Sequence, residues 1–329
     1  ALWKELSAMG IVGLVIDPEH GGAGAGPQEL ELVMEEAGAA LLCGPLLSSG
    51  VLAATLISAL GDGDAAVRLL PSIADGSLIA TVALTGPRGT WTPDAVEVSA
   101  APDGQGWTLT GKAAFVTHAQ VAGLWLVVAR AGDGLAVFEV DPESAGVTVT
   151  PLPTFDHTLR LADLEFAAVP ARRLGAGADA WQAVEAALDM ARVAVAGDQA
   201  GGGRRVLEFT VDYARSRIQF GRAIGSFQAV KHMAADLLLE SESAISAARH
   251  AARALGEGAA DARASVSLAA FACADSYSTI TATAIQMHGG IAFTWAHPAH
   301  LYLRRARSDA QLFGTPAFYR ERYIQQLGG

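Results

Sequence analysis

Two stretches of this chain gather residues that could hold an anion. In RIQFGRAIGSFQAVKH, at 217–232, Arg217 closes a helical run and precedes a turn bounded by Gly221 and Gly225. A planar guanidinium so placed can grip a diphosphate through two parallel bonds. Phe220 offers a face for a ring, and Gln228 falls on the first turn of the next helical run, within reach of polar ligand atoms. In AIQMHGGIAFTW, at 284–295, Gln286, Gly289 and Gly290 end a helix. Glycines let the backbone come close to a pyrophosphate. The plain alternatives are a solvated arginine and a glycine C-cap.

Proton chemistry would need a positioned acid or base. Glu185, Asp189 and Asp198 lie on one long helical run. Asp198, in VAGDQAGGG, is flanked by apolar residues and glycines. An acid there is either a hydrogen-bonded contact between helices or a base of raised pKa, and the structural role is favoured. Near the C-terminus, SDAQLFGTP at 308–316 should stop a charged helix at Gly314 and Pro316, which puts Phe313 in the turn. GGAGAG at 21–26 looks like a phosphate cradle. It lacks a preceding buried strand and a Lys-Ser/Thr end, so an interhelical turn is expected. Cys43 and Cys273 have no metal-ligand spacing and read as buried small hydrophobes in a reducing cytoplasm.

The elements that must position these residues fall into three regions, expected at 1–78, 79–178 and 179–329. The first is helical. Pro27–Ala39 sets Leu30, Leu32, Val33 and Ala37 on one side and Glu29, Glu31, Glu35 and Glu36 around the other, as a surface helix would. Helical runs follow at 45–60 and 64–73. The second region alternates short β-type segments (IATVAL, AVEVSA, WTLTGKAAFV, LWLVVAR, LAVFEV, VTVTPL, ADLEFAAV) with Gly, Pro and Asp turns, which predicts an antiparallel sheet or small barrel. The third returns to helix, with long runs at 180–217, 226–254 and 261–288 and shorter ones at 297–312 and 317–327. Gly197 and Gly201–Gly203 inside the first of these suggest close helix packing or close ligand approach. The apolar content of 226–288 (Ala234, Leu237, Leu238, Ile245, Val266, Leu268, Ala269, Ile280) predicts faces buried against a second chain.

With 329 residues and half of them apolar, the chain can build a sizeable core. A net charge of −11 argues against a nucleic-acid-binding surface, though a few local arginines can still hold a phosphorylated ligand. No apolar run is long enough to span a membrane, and nothing at Ala1 reads as a signal peptide, so a cytoplasmic protein is expected.

RxxFGxxIxxFQ followed by QxxGG, together with LWKELSAMGIVGLVIDPEHGG at 2–22 and GWTLTGKAAFVTHAQVAGLWLVVAR at 106–130, resembles the acyl-CoA dehydrogenase family over nearly the whole chain. The resemblance implies an α+β fold: an N-terminal helical domain, a central antiparallel β domain and a C-terminal four-helix bundle. The chain begins after the first helix usual in such proteins. In the family, the groups matching Arg217, Phe220, Gln228, Gln286, Gly289 and Gly290 bind FAD across a subunit interface. Val116 and Thr117 match the strand beside the flavin ring, where a Thr hydroxyl bonds the ring. Asp189 and Arg192 fall near the acyl-CoA thioester, the plain alternative for Arg192 being a surface salt bridge.

Several positions depart from the family pattern. The flavin and substrate loop, usually like TEPGAGSD, reads LTGPRGTWTPD at 84–94, with Gly86, Arg88 and Trp91 as its departures. Ala292 stands where a turn glycine is common and Ala296 where an acid often is. The base of a tail motif like YEGT is Phe313 in LFGT, and the alternative base of LDLER is Ala191 in LDMAR. Asp198 is the fallback carboxylate, about 10 Å along the helix from Ala191. The pattern therefore implies a subunit that keeps the half-site serving a partner's FAD and has lost its own base, paired with a paralogous chain in an α2β2 assembly. The alternatives are an active homodimer or homotetramer using Asp198, and a flavin-free CoA-binding scaffold.

Overall fold

The computed structural model describes residues 2–132, 134–175 and 180–328. The expected boundary at 178 lies outside these. They fall into two compact units. One comprises the chain up to Gly26, Cys43–Thr154 and Leu159–Ala191, and the other Pro27–Leu42, Phe155–Thr158 and the chain from Arg192.

In the first unit, helix α1 (Leu2–Ala8) leads to the 21–26 turn, where Gly21 and Gly24 take the positive φ that glycine adopts without strain. LLSSGVLA at 46–53 winds as a π-helix before α3 (Ala54–Ala59). Asp62 caps α4 (Gly63–Ala74) by accepting from Ala65 N at 3.0 Å, and its other oxygen accepts from Gly175 N at 2.9 Å. Those two bonds hold its pKa below the usual carboxylate range.

Seven strands follow: β1 (Ala80–Ala83), β2 (Ser99–Asp103), β3 (Gly106–Thr117), β4 (Leu124–Ala131), β5 (Gly134–Val140), β6 (Val147–Pro151) and β7 (Leu161–Leu174). Their order is β1-β4-β2-β3-β7-β5, with β6 on β7, and β5 pairs back onto β4, so the sheet closes into a small barrel. Inward positions from several strands fill it: Leu109, Trp125, Val127, Phe138, Leu164 and Phe166 are all buried. The sheet is mixed, not wholly antiparallel, because β1 runs parallel to β4. AVEVSA enters the sheet only at Ser99. Its first residues are held off the ladder by Arg130, whose Nε donates to Val96 O and whose Nη2 donates to Pro93 O, at 2.9 and 2.8 Å.

The second unit is helical. It contains α2 (Pro27–Ala39), most of α5 (Trp181–Ser216), a two-strand hairpin of β8 (Ile218–Gln219) and β9 (Arg222–Ala223), α6 (Gln228–Gly256), α7 (Ala262–His288), α8 (Ala299–Asp309) and α9 (Pro316–Gln326). Helix α2 is not the surface helix its acids suggest, since Glu31 and Glu35 are buried while Leu32 is exposed. The cause is a backbone-to-backbone crossing with α5. A Cβ on Gly38 would lie 2.0 Å from Asp198 O, and one on Gly201 would lie 1.7 Å from Glu35 O. The glycines of α5 thus serve packing. Glu35 is neutralised in this crossing by Arg204 at 3.1 Å and Arg249 at 3.0 Å.

The apolar faces of α6 and α7 are largely consumed within the unit. Leu237, Ile245, Val266, Ala269 and Ile280 are buried, and Leu238 and Leu239 remain exposed. Cys273 is buried, and burial pushes its thiol up to about 12, whereas Cys43 is exposed, contrary to expectation.

Candidate functional site

The residues expected to hold an anion occupy one end of the second unit. Helix α5 stops at Ser216, and Arg217 N donates to Tyr213 O at 2.8 Å. The hairpin then turns through Phe220 and Gly221, both at positive φ (53° and 76°), the geometry of a type I′ turn. That turn favours Asn or Gly, and Phe220 holds it while 91% exposed. Arg222 lies 3.9 Å over the Phe227 ring, which fixes the return strand, and Gln228 opens α6.

At the end of α7, Gln286, Gly289 and Gly290 are exposed, and Gly289 turns the chain at φ 66°. A Cβ at either glycine would meet nothing within 4 Å, so both present open backbone. These two groups meet at one residue: the backbone carbonyl of Tyr213 accepts the Arg217 N–H, and its side-chain Oη donates to His288 O at 3.3 Å. Arg217, Phe220, Gln228 and Gln286 are all accessible, as donors and ring faces awaiting a diphosphate-bearing ligand must be. The guanidinium, the ring, the amides and the open glycine backbone fit the donor set FAD would require.

The first unit presents a different picture at its loop 84–94. Trp91 is buried at 8% exposure, Thr85 Oγ1 donates to Thr90 O at 2.5 Å, and Gly89 backs onto the Phe115 ring. A Cβ at Gly86 would collide with the Glu97 side chain at 2.6 Å. The loop is packed on itself. Val116 and Thr117 are buried at the end of β3, with Thr117 O accepting from Thr81 Oγ1 at 2.6 Å. Beside them Ser48 Oγ meets His118 Nδ1 at 3.2 Å.

The two base positions are apolar and shut. Ala191 is buried, and Phe313 is 1% exposed at φ 61° in the turn after α8. Asp189 is buried too. Arg192 is buried with its guanidinium 5.6 Å from the Tyr319 ring centre, so it is not a surface salt bridge. Arg192, Gln199, Asp309, Leu312, Gly314 and Tyr319 enclose a cavity of about 10 Å³, water-sized and too small for an acyl chain.

Asp198 belongs to a buried ionic node. Arg305 lies 3.5 Å from Asp198 and 3.4 Å from Asp156, and donates to Thr158 Oγ1 and Leu42 O at 2.9 and 2.8 Å. Asp309, one turn beyond Arg305, bonds Asp198. Burial and the Asp198 charge drive its pKa well above the usual carboxylate range. Arg305, Asp156, Asp309, Tyr213 and His288 were not legible as site residues. The only signal was basic and acidic residues in RRARSD and a histidine beside GG.

Models of the acyl-CoA dehydrogenase N-terminal domain and C-terminal domain match residues 1–77 and 179–327. The acyl-CoA dehydrogenase IpdE2 of Mycolicibacterium smegmatis is 33% identical over 316 residues, covering 96% of this chain and 84% of the relative. Among solved structures, the ChsE4–ChsE5 complex from Mycobacterium tuberculosis matches with a TM-score of 0.90 and 31% identity, over 99% of this chain and 87% of that one. A variant of the Tcur3481–Tcur3483 steroid ACAD matches with a TM-score of 0.88 and 31% identity, over 99% and 88%. Butyryl-CoA dehydrogenase from Megasphaera elsdenii, at 23% identity and a TM-score of 0.93 over 100% and 90%, shares the fold.

Proposed function

This chain belongs to the acyl-CoA dehydrogenase family, and from that premise we propose that it is the half-site-contributing subunit of a two-chain, FAD-dependent acyl-CoA dehydrogenase. One contrast carries the reading. The groups that would serve a partner's flavin (Arg217, Phe220, Gln228, Gln286, Gly289, Gly290) are exposed and open, whereas Phe313, Ala191 and Trp91, where a chain's own base and flavin loop would be, are buried.

Arg217 and the backbone at Gly289–Gly290 would hold a diphosphate, and Phe220 would cover a ring. FAD, when bound, accepts the hydride from the substrate's β-carbon. Removal of the α-proton falls to a carboxylate of the paralogous chain, since neither Phe313 nor Ala191 can take a proton. Asp198 is committed to Arg305 and Asp309, which supports its structural role. A steroid-derived acyl-CoA thioester is the substrate class that the similarity to the steroid ACAD favours.

The test is co-expression with a paralogue carrying YEGT or LDLER. We expect one FAD per two chains, and no dye reduction by this chain alone with acyl-CoA. One FAD per chain with turnover by the homomer, lost in Asp198→Asn, would establish the homomeric enzyme instead. A complex devoid of flavin absorbance would point to a scaffold.

A further inference from the structure

Tyr213, His288 and His297 form a stack directly behind the exposed half-site. The Tyr213 and His288 rings lie 4.4 Å apart and nearly parallel at 24°, and His297 lies 4.4 Å from His288 on a 48° tilt. Phe209 closes the edge of both histidines. Each outer member holds backbone that the half-site depends on. Tyr213 receives the Arg217 N–H and donates to the carbonyl that precedes Gly289. His297 Nδ1 accepts from Ala299 N at 3.2 Å and so caps the start of α8.

We infer that Tyr213, His288 and His297 are positioning residues that lock the Arg217 turn to the Gly289–Gly290 turn, and that the lock holds only while both histidines are neutral. The inference rests on the flavin half-site reading above.

The hydrogen bonds dictate the protonation state. His288 Nδ1 faces Ala284 O at 2.8 Å and must therefore donate, which leaves Nε2 as the bare nitrogen of the neutral ring. That Nε2 is buried and has no hydrogen-bond acceptor, so a proton added there would be both charged and unsatisfied. His297 accepts through Nδ1, so a proton added there would break the Ala299 cap. The titratable groups facing the pair give no relief. His300 on α8 faces His297, Arg304 and His157 lie beyond it, and Tyr213 on α5 stacks on the far side of His288. Burial lowers the pKa of both His288 and His297; the His288 and His300 charges lower that of His297 further, while the bond to Ala284 O works the other way on His288. A histidine held below its ordinary 6.5 contributes stability that is complete above that value and is lost as pH falls toward and through its folded pKa. Mild acid should therefore loosen residues 289–298, which carry the two glycines and the exposed Phe293 and Trp295.

The experiment needs neither flavin nor partner. Imidazole NMR of this chain between about pH 7.5 and about pH 5.5 reads both histidines, the range in which an ordinary histidine changes charge. Hydrogen exchange over 289–298, corrected for the intrinsic pH dependence, reads the lock. We expect both rings to titrate below an ordinary histidine, and protection of the segment to fall several-fold on acidification. His297→Asn keeps a cap acceptor that cannot gain a proton, and should blunt that fall. Tyr213→Phe keeps the stack but loses the bond to His288 O, and should lower protection at both ends of the range. Ordinary titration of both rings, or protection that does not change with pH in the native chain, overturns the inference even if a variant fails to fold. In the co-expressed complex, FAD retention should decline over the same range. A complex that never holds FAD fails the functional reading while leaving the ligand-free acid response in place as support for the lock.

Discussion

Phe313 is a buried ring that cannot take a proton, and the consequences are chemical and energetic together. A fully buried Phe stabilises by about 1.5–3 kcal/mol relative to exposure, and a carboxylate in its place would lose that and be desolvated as well. Phe313→Glu should therefore lower the melting temperature of the isolated chain and should not create dye reduction with acyl-CoA, because loop 84–94 stays packed on Trp91. Differential scanning calorimetry and a dye assay on the same preparation check both halves, and turnover by the variant would sink the account. At this scale the sequence was partly readable. That positions 313 and 191 carry no titratable group could be seen from the residues alone, and the apolar and glycine neighbours of Asp198 pointed to the buried contact it makes. Its partners were not legible, because Arg305 and Asp309 meet it only through tertiary folding from far along the sequence, and Asp156 joins the node through Arg305.

Helix α2 shows why periodicity misled at the scale of elements. Four glutamates on one helix read as a solvated face, yet Glu31 and Glu35 are turned inward, because the glycines of α5 allow a crossing so close that the next residues cannot escape burial. Glycine spacing announced a close approach without saying which helix would make it. Glu31 pays the larger part: burial first, then the Glu35 charge, pushes its pKa up to about 7, against the lowering influence of Arg249. A raised carboxyl contributes stability that is fully present below its unfolded value of 4.5 and is lost as pH rises through about 7. Glu31→Gln keeps the shape and cannot ionise. Its stability relative to the native chain, in urea melts, should rise as pH goes from about 5 to about 7 and level off above. Parallel curves across that range would show that Glu31 titrates as an ordinary surface acid. The barrel, by contrast, was legible in nearly every strand, since its period-two patterning is local. The exception was the start of AVEVSA, where Arg130 intervenes from another strand.

For the whole molecule, the placement of unsatisfied surface is the strongest guide to assembly. The expected apolar excess on α6 and α7 proved to be mostly internal, and among the exposed large residues the hairpin and the segment after α7 carry Ile218, Phe220, Phe293 and Trp295, and α6 carries Leu238 and Leu239. Phe220 is the most telling of these, because it is disfavoured twice in the lone chain. Its ring is in water, and its backbone is left-handed, a conformation that costs a residue other than glycine roughly 1–2 kcal/mol. Asn and Gly are the residues the first position of such a turn prefers. On the half-site reading, a cofactor or partner chain would cover the ring. Phe220→Asn should therefore leave the isolated protein as stable as before or more stable by up to about 1 kcal/mol, while lowering FAD content and yield of the co-expressed complex. Chemical denaturation of the lone chain and absorbance of the purified complex separate the two effects. A destabilised lone chain would mean that Phe220 packs within its own unit, and unchanged flavin content in the complex would mean that its ring faces neither cofactor nor partner.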